Sequence, residues 1–264
     1  MSRIELTFKK LRKKGQAALI PFVVAGDPDL GTTEALVLKM AESGADIIEL
    51  GFPFSDPLAD GPIIQAASER ALRNGTNLRK VFHLAEKLKG VPTPLILMTY
   101  FNPVFKFGLR DFAEGCHNSG IDGVIIPDLP PEEAGPWIRE ARAFDLDTIF
   151  LVAPTSTPDR IKLISKWSRG FIYYVSVTGV TGVRGTLPHG LELAVTQIKG
   201  VTQKPVAVGF GISTPEQARD LSLFADGVIV GSAIVKIIGQ NLSHPELAAK
   251  VGNFVASLAE GLKR

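Results

Sequence analysis

The chain has 264 residues, 45% of them hydrophobic, which is enough to bury a large core. Lys and Arg number 29 against 27 Asp and Glu, a formal net charge of +2, so no field is present that would hold nucleic acid or an anionic membrane nonspecifically. The single cysteine, Cys116, excludes an internal disulfide, a thiolate zinc site and an iron–sulfur cluster, and suits a reducing cytosol.

Arg3, Lys9, Lys10, Arg12, Lys13 and Lys14 precede an apolar run over 17–25, the outline of a secretory signal. Pro21 and the Gly26-Asp27-Pro28-Asp29 turn stand where a small-residue cleavage site would have to be, so the run reads as a strand instead. Ile4, Phe8 and Leu11 share one helical face, and the opening segment is expected to be a short amphipathic helix with a basic solvated side. No uncharged apolar stretch approaches the roughly 20 residues that span a bilayer, so a soluble, cytoplasmic protein is expected.

Short runs rich in Val, Ile and Leu then alternate with segments of helical spacing. A strand over 19–24 leads to a helix over 32–43, and a strand over 46–50 to a helix over 63–74 that continues to 78–88. Strands over 94–99, 123–126, 148–152 and 171–175 precede helices over 109–119, 132–144, 158–168 and 191–199. Strands over 205–209 and 227–230, with helices over 215–221 and 245–262, complete eight pairs. Continuous rather than alternating hydrophobicity suits parallel strands buried on both faces. Asp29, Thr157 and Thr214 stand at N-cap positions, with Pro158 and Pro215 at the first helical position.

Each strand followed by a crossover gives a parallel sheet, and eight such units can close on themselves. The fold expected is α/β: a single (β/α)8 TIM barrel with an extra N-terminal helix, an open doubly wound sheet being the rival. No Pro/Ser/Gly-rich linker breaks the chain, so 1–264 reads as one domain. In a barrel the chemistry belongs at the C-terminal ends of the strands.

There, the second strand ends Ile47-Ile48-Glu49-Leu50, an acid inside an apolar strand. Such a carboxylate is either paired or has its pKa raised by desolvation, which tunes a general acid/base toward neutral pH; a salt-bridged core Glu is the plainer reading. The next twelve residues, from Gly51 to Pro62, hold three prolines and two glycines, a long specified connection of the kind used for lids and binding loops. It carries Asp56 and Asp60. Asp60 is far enough along to fold back across the barrel mouth and divide acid and base roles with Glu49, unless it merely bonds its own backbone beside Gly61.

Glycine clusters follow the last three strands: Gly179-Val180-Thr181-Gly182-Val183-Arg184-Gly185, Gly209-Phe210-Gly211-Ile212-Ser213 and Gly231-Ser232-Ala233. Exposed backbone N–H groups with a helix N-terminus behind them cradle phosphate, and barrels favour the position after strands seven and eight. Gly209-Phe210-Gly211 lacks the third glycine of a dinucleotide fingerprint. His83, His117, His189 and His244 stand singly, outside any metal-ligand spacing, so no metal is expected. No nucleophile elbow or Walker motif occurs, and no strand-end lysine offers a Schiff base.

The blocks Phe22-Val23-Val24-Ala25-Gly26-Asp27-Pro28, Glu49 through Pro62, Gly179-Val180-Thr181-Gly182, Gly209-Phe210-Gly211-Ile212 and Gly231-Ser232-Ala233-Ile234-Val235 resemble the tryptophan synthase alpha chain family over nearly the whole sequence. The resemblance implies retro-aldol cleavage of indole-3-glycerol phosphate, a lyase reaction of tryptophan biosynthesis with no cofactor. It implies Glu49 as general acid/base and Asp60 as acceptor of the indole N–H. It assigns the phosphate to Gly182, Gly211, Gly231 and Ser232 with Phe210 beside it, and the indole to Phe22 and Tyr173. Tyr100 and Asp128 match positions near a mobile loop, and Thr181 matches a second closing loop.

The resemblance further implies a pyridoxal-phosphate-dependent beta chain as partner, in an alpha2beta2 heterotetramer, with contacts around Pro53, Asp56, Pro57 and residues 100–107. Phe101, Phe105 and Phe107 read equally well as a partner patch or as core anchors. Phe52 and Ile63 depart from the residues usual in the family. Rival readings are another phosphosugar barrel, a regulatory subunit with little activity of its own, and a free-standing indole-releasing lyase.

Overall fold

The computed structural model describes residues 1–175, 190–209 and 211–263. In chain order these form α1 (Arg3–Lys13), β1 (Ala18–Val24), α2 (Leu30–Glu42), β2 (Ile48–Gly51), α3 (Pro62–Arg73), α4 (Leu78–Lys87), β3 (Leu95–Met98), α5 (Phe101–Phe107), α6 (Leu109–Ser119) and β4 (Gly123–Ile125). There follow α7 (Gly135–Ala143), β5 (Asp147–Ile149), β6 (Leu151–Val152), α8 (Pro158–Trp167), β7 (Ile172–Val175), α9 (Leu191–Val201), β8 (Val206–Gly209), α10 (Pro215–Ser222), β9 (Gly227–Val230), α11 (Ser232–Gln240) and α12 (Leu247–Gly261).

All strand pairs are parallel, in the order β5-β4-β3-β2-β1-β9-β8-β7-β6. Because β5 and β6 are separated by Phe150 alone, the two ends of that order meet at one extended segment and the sheet closes into a barrel. The expected fifth strand over 148–152 is thus divided: its first part pairs with β4 and its second with β7.

Alternation along each strand sorts the side chains. Ala18 and Ile20 of β1, Ile96 of β3, Ile125 of β4, Ile149 of β5, Ala207 of β8 and Ile229 of β9 fill the barrel interior, together with Ile47 and Phe171. Their neighbours Leu19, Val23, Ile48, Leu50, Leu97, Val124, Val208 and Val228 face the surrounding helices. The interior is closed at its N-terminal end by α1, whose Ile4, Phe8 and Leu11 join the inner cluster as their helical spacing predicts. Ser2 and Glu5 form a capping box there, and Ser2 also donates to the buried Asp147.

The caps at Asp29, Thr157 and Thr214 are present, each accepting a backbone N–H three residues on. Four details differ from the sequence expectations. The run over 63–88 is two helices, broken at Asn74–Thr76, where Gly75 takes φ 71°. Residues 101–107 form helix α5 rather than a loop, and α11 was not anticipated, so the described residues hold twelve helices, not nine. Residues 132–134 precede α7 instead of opening it, because Pro136 fits only the first turn of a helix.

Candidate active site

Ile47, just before β2, and Glu49 and Gly51 within it alternate on one face, so the same pleat that buries Ile47 aims Glu49 into the barrel. Glu49 is 1% exposed, and neither carboxyl oxygen has a hydrogen-bond partner among the described residues. The salt-bridged alternative therefore does not hold. Burial, and secondarily the nearby Asp60 carboxylate, pushes its pKa from 4.5 up to about 8. At neutral pH this group carries its proton, as a general acid must.

Asp60 reaches the mouth on the long connection that precedes α3. Burial raises its pKa, while a hydrogen bond from the Tyr100 hydroxyl works the other way. The same hydroxyl accepts the Ala59 N–H at 3.1 Å, and the Gln65 amide donates to the Asp60 carbonyl at 2.8 Å. Phe54 stacks on the Tyr100 ring at 5.3 Å, clipping the connection to the end of β3. Asp60 thus bonds Tyr100 and faces Glu49, in place of the local backbone bonding considered for it. Both acids also act on Tyr173, whose phenol is pushed well up by burial and then by Glu49 and Asp60.

Two glycines make room for aromatic rings in this mouth. A Cβ on Gly51 would sit 2.5 Å from Phe22 Cζ, and one on Gly209 would sit 2.6 Å from the Tyr173 hydroxyl. Phe22, Val24, Gly51, Phe52, Asp60, Ile64, Ser68, Met98 and Tyr100 line one recess. Ile64, Ser68 and Met98 escaped the sequence reading; the helical spacing of Ile64 and Ser68 from Asp60 was the available signal. Larger concavities flank α1 at the opposite end of the barrel, away from the paired acids.

Gly231 follows the last strand and is the N-cap of α11, with no side chain to cap its first turn. Gly211 lies exposed beyond β8 with φ 31° and open space where a Cβ would be. The N-terminus of α11, at Gly231 and Ser232, carries the positive end of a helix dipole, the electrostatics that favour an anion. Thr181, Gly182 and Phe210, with the rest of the Gly179–Gly185 cluster and His189, lie outside the described residues.

Asp128 is exposed and accepts the Phe101 N–H at 2.9 Å, so it ties down the start of α5, and its charge helps to raise the pKa of the neighbouring Tyr100. Pro53 is buried in the chain, a correction to its expected place on a contact surface, whereas Asp56 is exposed and Pro57 partly so. Leu58 and Phe105 are exposed by 85% and 66%, and Phe101 and Phe107 pack against the core. The aromatic run is therefore mixed: two anchors and one surface ring. Among the described residues no group of three or more His, Cys, Asp or Glu could hold a metal, and no helix is long and apolar enough to cross a membrane.

Residues 8–262 match the family profile described as tryptophan synthase alpha chain. A tryptophan synthase alpha chain from Geobacter sulfurreducens is 49% identical over 263 residues, covering 99% of this chain and 99% of that one. Its counterpart from Geobacter sp. (strain M21) is 47% identical, covering 99% and 98%. Among solved structures, a tryptophan synthase from Mycobacterium tuberculosis superposes with TM-score 0.93 at 38% identity, covering 100% and 99%. Tryptophan synthase subunit alpha from Legionella pneumophila gives 0.92 at 37% identity, covering 99% and 98%.

Proposed function

We infer how the mouth residues divide the chemistry from one premise: the chain belongs to the tryptophan synthase alpha chain family. It is a lyase that cleaves indole-3-glycerol phosphate to indole and glyceraldehyde 3-phosphate. Indole leaves only after its C3 is protonated, and the aldehyde forms only as the adjacent glycerol hydroxyl loses its proton. One group that first gives and then takes a proton meets both needs.

The observation that carries this reading is Glu49, buried at the barrel mouth with no hydrogen-bond partner among the described residues. Glu49 delivers its proton to C3, generating a cationic indolenine. Asp60, whose ionised form the Tyr100 hydrogen bond favours against the opposing effect of burial, accepts the ring N–H and stabilises that positive charge. The C–C bond electrons then flow into the ring as the ionised Glu49 removes the hydroxyl proton, so indole and aldehyde form and Glu49 is reset. Each positioned proton transfer contributes typically ~100- to 10,000-fold.

Phe22 and Tyr173 offer aromatic walls for the indole. Gly211, Gly231 and Ser232 offer backbone N–H groups to the phosphate, joined in this reading by Gly182 with Phe210 beside it, and Thr181 belongs to the loop that closes over the site. Asp128, by capping α5, holds the segment after β3 from which Tyr100 projects.

Members of this family work with a beta chain. An alpha2beta2 assembly with a pyridoxal-phosphate-dependent beta chain is supported by the exposed Asp56, Leu58 and Phe105 and the partly exposed Pro57 beside the mouth. Purified chain is incubated with indole-3-glycerol phosphate, alone and with a beta chain, and both products are assayed. Release that the beta chain strongly accelerates, and that Glu49→Gln and Asp60→Asn abolish, is expected. Retention of most activity by either variant would overturn the assigned roles, and release indifferent to the beta chain would indicate a free-standing lyase.

A further inference from the structure

We propose that the Asp27–Arg70 ion pair is a positioning clamp for Asp60: it anchors α3 across the barrel mouth, and α3 fixes the carboxylate that immediately precedes it. The inference rests on the role given to Asp60 above.

Helix α3 is a wall of the site rather than an outer layer. Its Ile63, Ile64, Ala67 and Ala71 pack against Phe22 and Val24 of β1 and Val235 of α11. Its first turn has no side-chain cap, since the N-cap is Gly61, so the angle at which α3 presents Asp60 to Tyr100 and Gln65 depends on how the body of the helix is seated. The far half is firmly tied. Arg70 Nε donates to Asp27 Oδ1 at 2.7 Å and Nη2 to Oδ2 at 2.9 Å, engaging both carboxylate oxygens. Asp27 is 1% exposed and Arg70 27%, so the pair is largely withdrawn from water.

Asp27 itself sits on an immobilised loop. The Gly26 N–H donates to Thr33 Oγ1 of α2 at 3.0 Å, and Gly26, at φ 88°, lies so close to Thr76 that a Cβ would fall 2.0 Å from its Oγ1. The Asn74 amide donates to the Pro28 carbonyl. A Cβ on Gly239 of α11 would stand 3.5 Å from Arg70 Nη2, so the guanidinium bridges the β1 exit, α3 and α11.

Two parallel charge-assisted hydrogen bonds set both distance and angle, which a hydrophobic contact or a lysine does not. From Pro62 to Arg70 is eight residues, a lever of about 12 Å. A tilt of about 5° at the clamp therefore moves the Asp60 end by about 1 Å, a misplacement that can cost ~100-fold in rate.

The test uses the full chain with Arg70→Lys and with the double variant Asp27→Leu/Arg70→Met. Replacing both charges leaves no unpaired buried ion, so the double variant is expected to fold with a urea midpoint near that of the parent. Its kcat is expected to fall by about 100-fold. The alkaline limb of its pH profile should also move to lower pH. Glu49 is faced by Asp60 from the connection and Tyr173 from β7, while Tyr100 after β3 faces Asp60; displacing Asp60 weakens the repulsion that helps Glu49 keep its proton. Arg70→Lys should lie between parent and double variant in both readouts.

A purely stabilising pair predicts instead that activity tracks the folded fraction and the limb stays in place, and that result, or parental kcat in the double variant, overturns the clamp. Asp60→Asn separates the two levels. Full activity in that variant would remove the role of Asp60 and the clamp with it, whereas a dead Asp60→Asn beside a normal double variant removes the clamp alone.

Discussion

Glu49→Gln should make the protein more stable while abolishing its turnover, and the size of the gain should depend on pH. The unfolded chain ionises this carboxyl near 4.5, and the folded chain holds the proton until about 8. Between those values the folded state binds more protons than the unfolded one, so stability falls as pH rises, by about 1.4 kcal/mol per unit. The fall stops above the folded value. Glutamine is uncharged throughout and escapes this loss. The stability difference between variant and parent should therefore widen by about 4 kcal/mol from about pH 5 to about pH 9, within an upper limit of about 5 kcal/mol set by the whole shift.

Urea unfolding of both proteins at several pH values, extrapolated linearly to water, measures this difference and cancels the titrating groups that do not interact with Glu49. A difference flat to within about 1 kcal/mol would refute the reasoning. It would mean that Glu49 is solvated or paired in the folded chain, and that its proton is not held for catalysis.

Other substitutions probe the surroundings of that acid. Tyr100→Phe removes the hydroxyl that favours ionised Asp60 and accepts the Ala59 N–H. The acid limb of the kcat/KM profile should move upward and kcat should fall roughly 10-fold, the equivalent of about one hydrogen bond; an unchanged profile would show that Tyr100 does not control Asp60. Gly51→Ala places a Cβ 2.5 Å from Phe22 Cζ, so the ring must swing out of the mouth. Denaturation should show a loss of about 1–3 kcal/mol, and KM for indole-3-glycerol phosphate should rise more than kcat falls. Equal KM would take Phe22 out of the indole pocket.

How far the sequence carries is clearest at particular elements. The eight-fold alternation, the caps at Asp29, Thr157 and Thr214 and the inward face of α1 were legible because each depends on local chemistry and on spacing. Glu49 was legible as an anomaly, an acid where every neighbour is apolar. Helices α5 and α11 were not: Phe101–Phe107 reads as an aromatic cluster, and Ser232–Gln240 falls between the last strand and the final helix, where eight strand–helix pairs leave no place for another, although Ser232, Lys236 and Gln240 mark a polar face opposite the buried Ile234, Val235 and Ile238.

Other features exist only in three dimensions. Whether Glu49 had a partner, whether the loop carboxylate would reach it, and whether Pro53 was surface or interior depended on residues far away in the chain. Asp27 and Arg70 lie 43 positions apart, and no periodicity links them. The sequence by itself determined which segments become strands and helices and which acid is out of place, since pleat and helix period act over a few residues. Only the tertiary structure decided the meeting of Glu49 with Asp60, the closure of the barrel at Phe150 and the anchoring of α3, because burial, ion pairing and desolvation arise when distant segments exclude water together.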